Sequence, residues 1–147
     1  MRRQSDDLTY GEQRELANHD RICQHLGRHL LKLNKYNVMD WTECIPQDNL
    51  PWYVEQKARK ITIKTAQYYN TLMIGKNKID FFKENAKNCR GRIYFDLLDG
   101  LYYIDYDEKK FDKYWVDENF QRQDRDCDDK LGSVVHIPFS HLSPVSV

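Results

Sequence analysis

The chain of 147 residues has the length of one ordinary domain and can bury a core without disulfides or structural metals. Lys and Arg together number 23, as do Asp and Glu. The net charge of zero therefore gives no indication of whether the partner is a nucleic acid, a membrane or an acidic molecule. The four cysteines are far apart and form no C-x-x-C pair, so reduced thiols are expected rather than a zinc or redox motif. We expect a single domain over 1–147, with a core at about 9–106 and a loop-rich C-terminal extension at 107–147.

The ends of the chain and its hydropathy favour an intracellular, soluble protein. The N-terminal residues contain no apolar segment of the kind found in a secretory signal, and no apolar stretch of 18 residues occurs anywhere. We therefore expect a protein that is not secreted and has no membrane partner.

The charged residues are unevenly distributed although their sum is zero. Cations dominate from Glu55 to Arg92, whereas acids dominate from Asp105 to Lys130. The acids of the second segment are Asp105, Asp107, Glu108, Asp112, Asp117, Glu118, Asp124, Asp126, Asp128 and Asp129. A neutral total can thus conceal a basic working surface in the first segment.

The first predicted element is a helix that begins with a capping box at Thr9 and Glu12. Its apolar positions recur at helical spacing and predict one buried face that continues to about Asn34. These positions are Leu16, Ile22, Cys23, Leu26, Leu30 and Leu33.

A β-hairpin is predicted next. The segments 36–45 and 50–58 are rich in strand-forming residues, and the segment 46–49, Pro-Gln-Asp-Asn, is typical of a turn. The following segment, 66–86, is interrupted at Ile74 and Gly75, which predicts a loop or short helix and then a helix from about Asn77.

A second hairpin is predicted at 92–106, where Asp99 and Gly100 form a two-residue turn signal. The polar stretch 107–132 favours loops, and 133–138 is a last strand. The order helix, hairpin, helix, hairpin, strand predicts an α/β fold with a mixed central β-sheet flanked by helices.

The geometry of the first hairpin brings charged residues together. If the turn centres between Gln47 and Asp48, Asp40 lies directly opposite Glu55. Strand alternation then places Glu55 and Lys57 on one face of the sheet. Residues Trp52, Val54, Gln56 and Ala58 occupy the other face, Glu43 points away from the cluster and Asp48 lies in the turn.

Two adjacent carboxylates in a partly dry site repel each other unless a cation joins them. Mg²⁺ prefers hard oxygen ligands and commonly uses one or two carboxylates together with water and phosphate oxygens. Lys57 could orient the attacking water and offset charge that develops on a phosphate. The alternative is a simple cross-strand ion pair on a solvated sheet face, worth about 0.2–1 kcal/mol.

The arrangement of Asp40, a hairpin turn and Glu55-Gln56-Lys57, with a helix before and after, resembles the PD-(D/E)XK nuclease superfamily, and in particular its small viral and phage members. The segment 68–78 also looks like the one that follows the motif in those members. The resemblance covers about 12–106. Met39 replaces the superfamily's proline, and Gln56 occupies a spacer position that is more often apolar.

The resemblance implies a restriction-endonuclease-like fold and metal-dependent hydrolysis of phosphodiester bonds in nucleic acid, with DNA favoured over RNA. Asp40 and Glu55 would bind Mg²⁺ or Mn²⁺, and Lys57 would assist the nucleophile. Many members add an acid from the first helix, for which Glu15 is favoured over Glu12. A homodimer is a further expectation by analogy, and a viral member would act in the host cytoplasm or the virion.

The cations around the motif predict a phosphate-tracking surface, although a solvated charged face is the alternative. The candidate nucleic-acid contacts are Arg59, Lys60, Lys64, Lys76 and Lys78. Two other functions remain open. A catalytically inactive nuclease-like fold could act as a nucleic-acid-binding or protein-interaction module, and the acidic segment after Asp105 could serve a structural or host-interaction protein.

Overall fold

The computed structural model describes residues 8–34, 36–121 and 131–146, which form a mixed α/β structure. The helices are α1 (Tyr10–Leu26), α2 (Ile63–Tyr69), α3 (Lys76–Glu84) and α4 (Glu108–Phe111). The strands are β1 (Leu30–Lys32), β2 (Trp41–Glu43), β3 (Trp52–Ala58), β4 (Thr71–Gly75), β5 (Arg90–Leu97), β6 (Gly100–Asp105), β7 (Trp115–Gln121), β8 (Leu131–Pro138) and β9 (Ser143–Pro144). None of the helices in these ranges has the length and apolar character needed to traverse a bilayer.

The main sheet has six strands in the order β1-β2-β3-β5-β6-β9 and is mixed, as the sequence predicts. The neighbours β3 and β5 run parallel, while the other neighbouring pairs are antiparallel. Parallel neighbours need a long crossover, and the segment that contains α2, β4 and α3 provides it. The crossover brings α3 back to the sheet beside β3.

The main sheet separates two hydrophobic clusters. On one face, Ile22 of α1 packs with Trp41, Val54 and Tyr94. On the other face, α3 and the second sheet cover a larger cluster. The residues of this cluster that belong to the two sheets and α3 include Leu72, Ile74, Ile79, Phe82, Ile93, Phe95, Val135 and Ile137.

Helix α3 lies very close to the main sheet. A Cβ atom at Gly91 of β5 would overlap the ring of Phe82, so glycine is required for this approach. Phe82 is 1 % exposed at this contact. The position of α3 matters for the site because Lys78 lies near its N-terminus.

Helix α1 ends earlier than predicted. Gly27 adopts a left-handed conformation with φ of 74°, and its N–H donates to the carbonyl of Cys23. Glycine is the residue that ends a helix in this way at no steric cost. The predicted extension to Asn34 is therefore wrong, and Leu30–Lys32 forms an edge strand instead. Leu16, expected on the buried face, is 70 % exposed.

Within 66–86, the predicted short helix and the helix from about Asn77 are present as α2 and α3, but the segment Thr71–Gly75 between them is a strand that was not predicted. Asn70, with φ of 70°, ends α2 and redirects the chain. The new strand β4 pairs antiparallel with β8, which lies about sixty residues further along the chain. Together with β7, these strands form a separate three-stranded sheet in the order β4-β8-β7.

The second hairpin is present, but its turn lies one residue earlier than predicted. Leu97 pairs with Gly100, so the two loop residues are Leu98 and Asp99. The Oδ1 atom of Asp99 accepts a 2.7 Å hydrogen bond from the N–H of Ile63 at the start of α2. Asp99, which the sequence predicts only as a turn residue, therefore also joins the hairpin to α2.

The C-terminal extension contains more regular structure than predicted. Helix α4 and strand β7 lie within the segment expected to be loops. The predicted last strand at 133–138 forms part of β8, and β9 follows it. The acids Asp124, Asp126, Asp128 and Asp129, together with Cys127, lie outside the described residues.

Candidate active site

The register of the first hairpin agrees with the sequence prediction. Trp41 pairs with Val54 and Thr42 with Tyr53, so continuation of this register places Asp40 opposite Glu55. The N–H of Asp40 donates to the carbonyl of Val54 at 3.2 Å. The Oδ2 atom of Asp40 accepts a 2.8 Å hydrogen bond from the N–H of Gln56. These two bonds hold the Asp40 carboxylate beside β3.

Glu55 is the most deeply buried carboxyl group of the candidate site, with 1 % of its surface exposed. Its Oε2 atom lies 3.5 Å from Nζ of Lys57 and 3.4 Å from Nζ of Lys78. Its Oε1 atom is buried and has no hydrogen-bond partner among the described residues. One oxygen of a buried carboxylate thus lacks a donor.

The pKa of Glu55 is raised to about 8. Burial is the main cause, and the neighbouring charge of Asp40 adds to it, while Lys57 and Lys78 oppose the shift. When protonated, the Glu55 carboxyl group can donate a hydrogen bond to the Asp40 carboxylate, which also raises the pKa of Glu55. The site is therefore short of positive charge when both carboxyl groups are ionised.

Helix α1 contributes a third carboxyl group, from Glu15. Its pKa is raised to about 7, first by burial and then by the charge of Asp40, against the effect of Lys32. The Nζ atom of Lys32 on β1 lies 2.7 Å from Oε2 of Glu15 and 3.6 Å from Oδ1 of Asp40. The ammonium group of Lys32 therefore lies between two carboxyl groups.

Lys78 belongs to this cluster rather than to an open surface. It is 7 % exposed, and its ammonium group donates to the carbonyl of Val38 in addition to its contact with Glu55. This places Lys78 near the chain segment that leads to Asp40. The structure thus assembles Glu15, Asp40 and Glu55 with Lys32, Lys57 and Lys78.

Glu12, the other candidate acid, lies outside this cluster. Its side chain accepts a 3.1 Å hydrogen bond from the N–H of Thr9, while its own N–H donates to Oγ1 of Thr9. This is the capping box that the sequence predicts. Glu12 therefore stabilises the start of α1, and Glu15, almost one helical turn further on, reaches the site.

The remaining predicted basic residues lie apart from the carboxyl groups. Arg59 donates a 2.7 Å hydrogen bond to the carbonyl of Met73 and thereby connects β3 to β4. Lys60 lies 4.5 Å from the ring centroid of Tyr10, Lys64 is exposed on α2, and Lys76 forms a 3.0 Å ion pair with Asp80. Of these side chains, Lys60 and Lys64 are the most exposed to solvent.

Lys32 is not among the predicted site residues, because the first helix was predicted to continue through it. The signal that could have revealed it is Gly27, since a glycine just after an amphipathic run predicts a helix end. If the helix ends at Gly27, residues 30–32 can form a strand beside β2. Lys32 then pairs with Trp41, next to Asp40.

Among the described residues, no three His, Cys, Asp or Glu side chains are arranged to hold one metal ion. Asp40 instead shares Lys32 with Glu15 and lies opposite Glu55 in the hairpin, which makes two carboxyl pairs that share a member. The pair Asp40 and Glu55 fits a hard divalent cation because Mg²⁺ can bind through one or two carboxylates and keep several waters. The buried Oε1 atom of Glu55, which lacks a donor, fits the same ligand chemistry.

Comparison with protein-family models, with curated proteins and with solved structures finds no significant match to this chain. A function must therefore be inferred from the residues of the chain itself. The cluster around Asp40 combines burial, raised pKa values and an unpartnered carboxyl oxygen, which are typical of functional sites.

Proposed function

We propose that the chain is a metal-dependent nuclease with a restriction-endonuclease-like fold, which hydrolyses phosphodiester bonds of nucleic acid, with DNA favoured over RNA. The observation that carries the proposal is the buried Glu55 carboxyl group beside Asp40, with Lys57 at 3.5 Å and one oxygen without a donor. This is the constellation that the resemblance to the PD-(D/E)XK superfamily requires.

The alternative of a solvated cross-strand ion pair does not fit the burial of the site. Glu55 is 1 % exposed, and the Lys57 side chain is 14 % exposed. An ionised carboxylate in such a place is costly unless its oxygens receive hydrogen bonds or bind a cation. A divalent ion held by Asp40 and Glu55 would remove this cost and lower the pKa of Glu55.

Each residue has a role in the proposed chemistry. Asp40 and Glu55 would hold Mg²⁺ or Mn²⁺, which supplies a Lewis acid and lowers the pKa of bound water. Lys57 would orient the water that attacks phosphorus and would offset charge on the phosphate as the ester P–O bond breaks. Lys78 positions Glu55 from the α3 side, and its bond to Val38 steadies the segment before Asp40.

The fold supports the same proposal. Helix α1 precedes the hairpin β2–β3, and the crossover through α3 leads to β5, which runs parallel to β3. Of these elements, α1 supplies Glu15, β3 supplies Glu55 and Lys57, and α3 supplies Lys78. Lys60 and Lys64, exposed just beyond β3, provide cations that could contact the phosphate backbone of a substrate.

The test is cleavage of plasmid, single-stranded DNA and RNA by the purified chain, with and without Mg²⁺. We expect Mg²⁺-dependent degradation by the wild type, and a loss of about 10²–10³-fold or more in rate for Asp40→Asn and for Lys57→Ala. Asp48→Asn, in the turn of the same hairpin, and Lys87→Ala, on the exposed segment after α3, are matched controls that should cut normally. Circular dichroism and thermal unfolding verify that the variants fold.

Unchanged cleavage by both site variants would remove the proposed site. Absence of cleavage by the folded wild type under every condition would remove the enzymatic function.

A second candidate function is a nuclease-like module that binds nucleic acid without cutting it. The observation that favours it is that Glu15, Asp40 and Glu55 each have a lysine within 4.0 Å, so the cluster can balance its own charge. A salt-sensitive gel shift without Mg²⁺-dependent degradation would support this function over catalysis.

A further inference from the structure

The three carboxyl groups of the site are arranged as two pairs rather than as one triad. Asp40 is the shared member, because Lys32 joins it to Glu15 and the hairpin register places it opposite Glu55. Among the described residues, no three such side chains converge on one ion position. One cation position therefore lies between Glu15 and Asp40, and a second lies between Asp40 and Glu55, as two halves of the site.

Lys32 already provides a cation to the first half. Its Nζ atom lies 2.7 Å from Oε2 of Glu15 and 3.6 Å from Oδ1 of Asp40. The contact with Glu15 is a charge-assisted hydrogen bond of normal length. The two oxygens of Asp40 have different tasks, since Oδ1 faces Lys32 and Oδ2 accepts the N–H of Gln56.

We propose that Lys32 is a resident cation that occupies the Glu15–Asp40 half of the site, so that the protein binds one divalent ion, at Asp40 and Glu55, rather than two. This inference rests on the proposed metal-dependent function. The ammonium group takes the place of a second metal ion by neutralising Glu15 and Asp40, two groups of like charge that repel each other when unpaired. Lys32 is thus a positioning residue of the site.

The backbone explains why Lys32 can hold this place. Strand β1 is the edge of the main sheet and pairs Lys32 with Trp41, the residue after Asp40. All three residues of β1 pair with β2, and this pairing fixes the ammonium group of Lys32 close to the Asp40 carboxylate. Glu15 meets it from α1, where the capping box at Thr9 and Gly27 define the ends of the helix.

A purely structural ion pair is the competing explanation. In that case, removal of Lys32 would change stability only slightly and leave metal binding unchanged. If Lys32 instead stands in for a metal ion, its removal leaves Glu15 and Asp40 with an unfilled cation position. A second divalent ion should then enter the site.

The experiment is Mn²⁺ binding to the purified full chain at neutral pH, without nucleic acid, measured by isothermal titration calorimetry and by electron paramagnetic resonance of free Mn²⁺. The variants are Lys32→Met, which removes the charge at similar length, and Lys32→Arg, which keeps it. Lys87→Met, on an exposed segment after α3, is the control for loss of one positive charge.

We expect one Mn²⁺ for the wild type, for Lys32→Arg and for Lys87→Met, and two for Lys32→Met. One ion of unchanged affinity in Lys32→Met, or two ions in the wild type, would overturn the role of Lys32 while leaving metal-dependent function in place. Absence of Mn²⁺ binding in every folded variant would overturn both. Thermal unfolding of each variant verifies that the half-exposed Lys32 can be replaced without loss of the fold.

Discussion

The first hairpin carries two buried carboxylates, and their surroundings differ sharply. Glu43, near the turn, accepts hydrogen bonds from the N–H groups of Gln47 at 3.1 Å and Trp52 at 3.2 Å, and it pairs with Arg28 at 3.2 Å. Glu55, at the other end, has two lysines near one oxygen and a donor-free second oxygen beside Asp40.

This difference separates a structural carboxylate from the carboxylate of the proposed site. Glu43 closes the loop between β2 and β3, and each of its oxygens receives a hydrogen bond from that loop or from β3. Glu55 instead sits where its charge is opposed by burial and by Asp40, so it gains from an added cation. Sequence alone shows both residues as glutamates in strands.

The largest effect on stability is expected at the structural end of the hairpin. Glu43→Ala should lower the free energy of unfolding by about 3–5 kcal/mol, because two N–H groups lose their acceptor and Arg28 loses its nearest carboxylate. Urea denaturation followed by circular dichroism measures the change. A loss below about 1 kcal/mol would contradict the assignment of Glu43 as a fully bonded structural group.

At Glu55, in the proposed site, a substitution is expected to have the opposite effect on stability. The pKa of Glu55 is about 8 in the folded chain against an ordinary value of 4.5, so between these pH values the folded state holds a proton that the unfolded state has lost. The contribution of Glu55 to stability therefore falls as pH rises from about 4.5 to 8. Glu15, with a pKa of about 7, acts in the same direction.

Glu55→Gln should accordingly stabilise the metal-free chain at pH 8 by roughly 1–3 kcal/mol. Near pH 4.5 the advantage should disappear, because wild-type Glu55 is then protonated when folded. Urea denaturation in the presence of a chelator at several pH values measures both effects. A constant difference between wild type and variant across this range would show that Glu55 does not titrate as a buried acid.

A smaller effect is expected at Gln56, which lies between the two site residues on β3 but points to the α1 face. It is 3 % exposed, and neither end of its amide has a hydrogen-bond partner among the described residues. Gln56→Leu should raise the free energy of unfolding by about 1 kcal/mol because it removes these unsatisfied groups.

The same substitution sharpens the comparison between the two faces of β3. It keeps the backbone N–H that Asp40 accepts, so Mg²⁺-dependent cleavage should be unchanged. Thermal unfolding and the plasmid assay measure the two outcomes. Destabilisation by Gln56→Leu would indicate that the buried amide has a partner such as a bound water.

Several features of the site could be predicted from the sequence because they follow from local rules. The turn composition at 46–49 and the two-residue period of strands suffice to place Asp40 opposite Glu55, and the pairs Trp41–Val54 and Thr42–Tyr53 confirm that register. The capping box at Thr9 is equally local. Because Glu12 takes part in the capping box, Glu15 is the acid from α1 that reaches the cluster.

Other features could not be predicted because they depend on partners far along the chain. Strand β4 is stabilised by its pairing with β8, and no pattern within 66–86 predicts this pairing. Lys78, predicted to contact nucleic acid, is drawn inward because α3 packs tightly over Gly91.

By itself, the sequence determined the mixed α/β character, the first hairpin and the facing of Asp40 and Glu55, since turn chemistry and strand alternation act over a few residues. Only the tertiary structure decided how deeply Glu55 is buried and which lysines surround the carboxyl groups. Burial and charge depend on which elements pack together, and here α1 and β1 from the start of the chain meet α3 from its middle around the carboxyl groups.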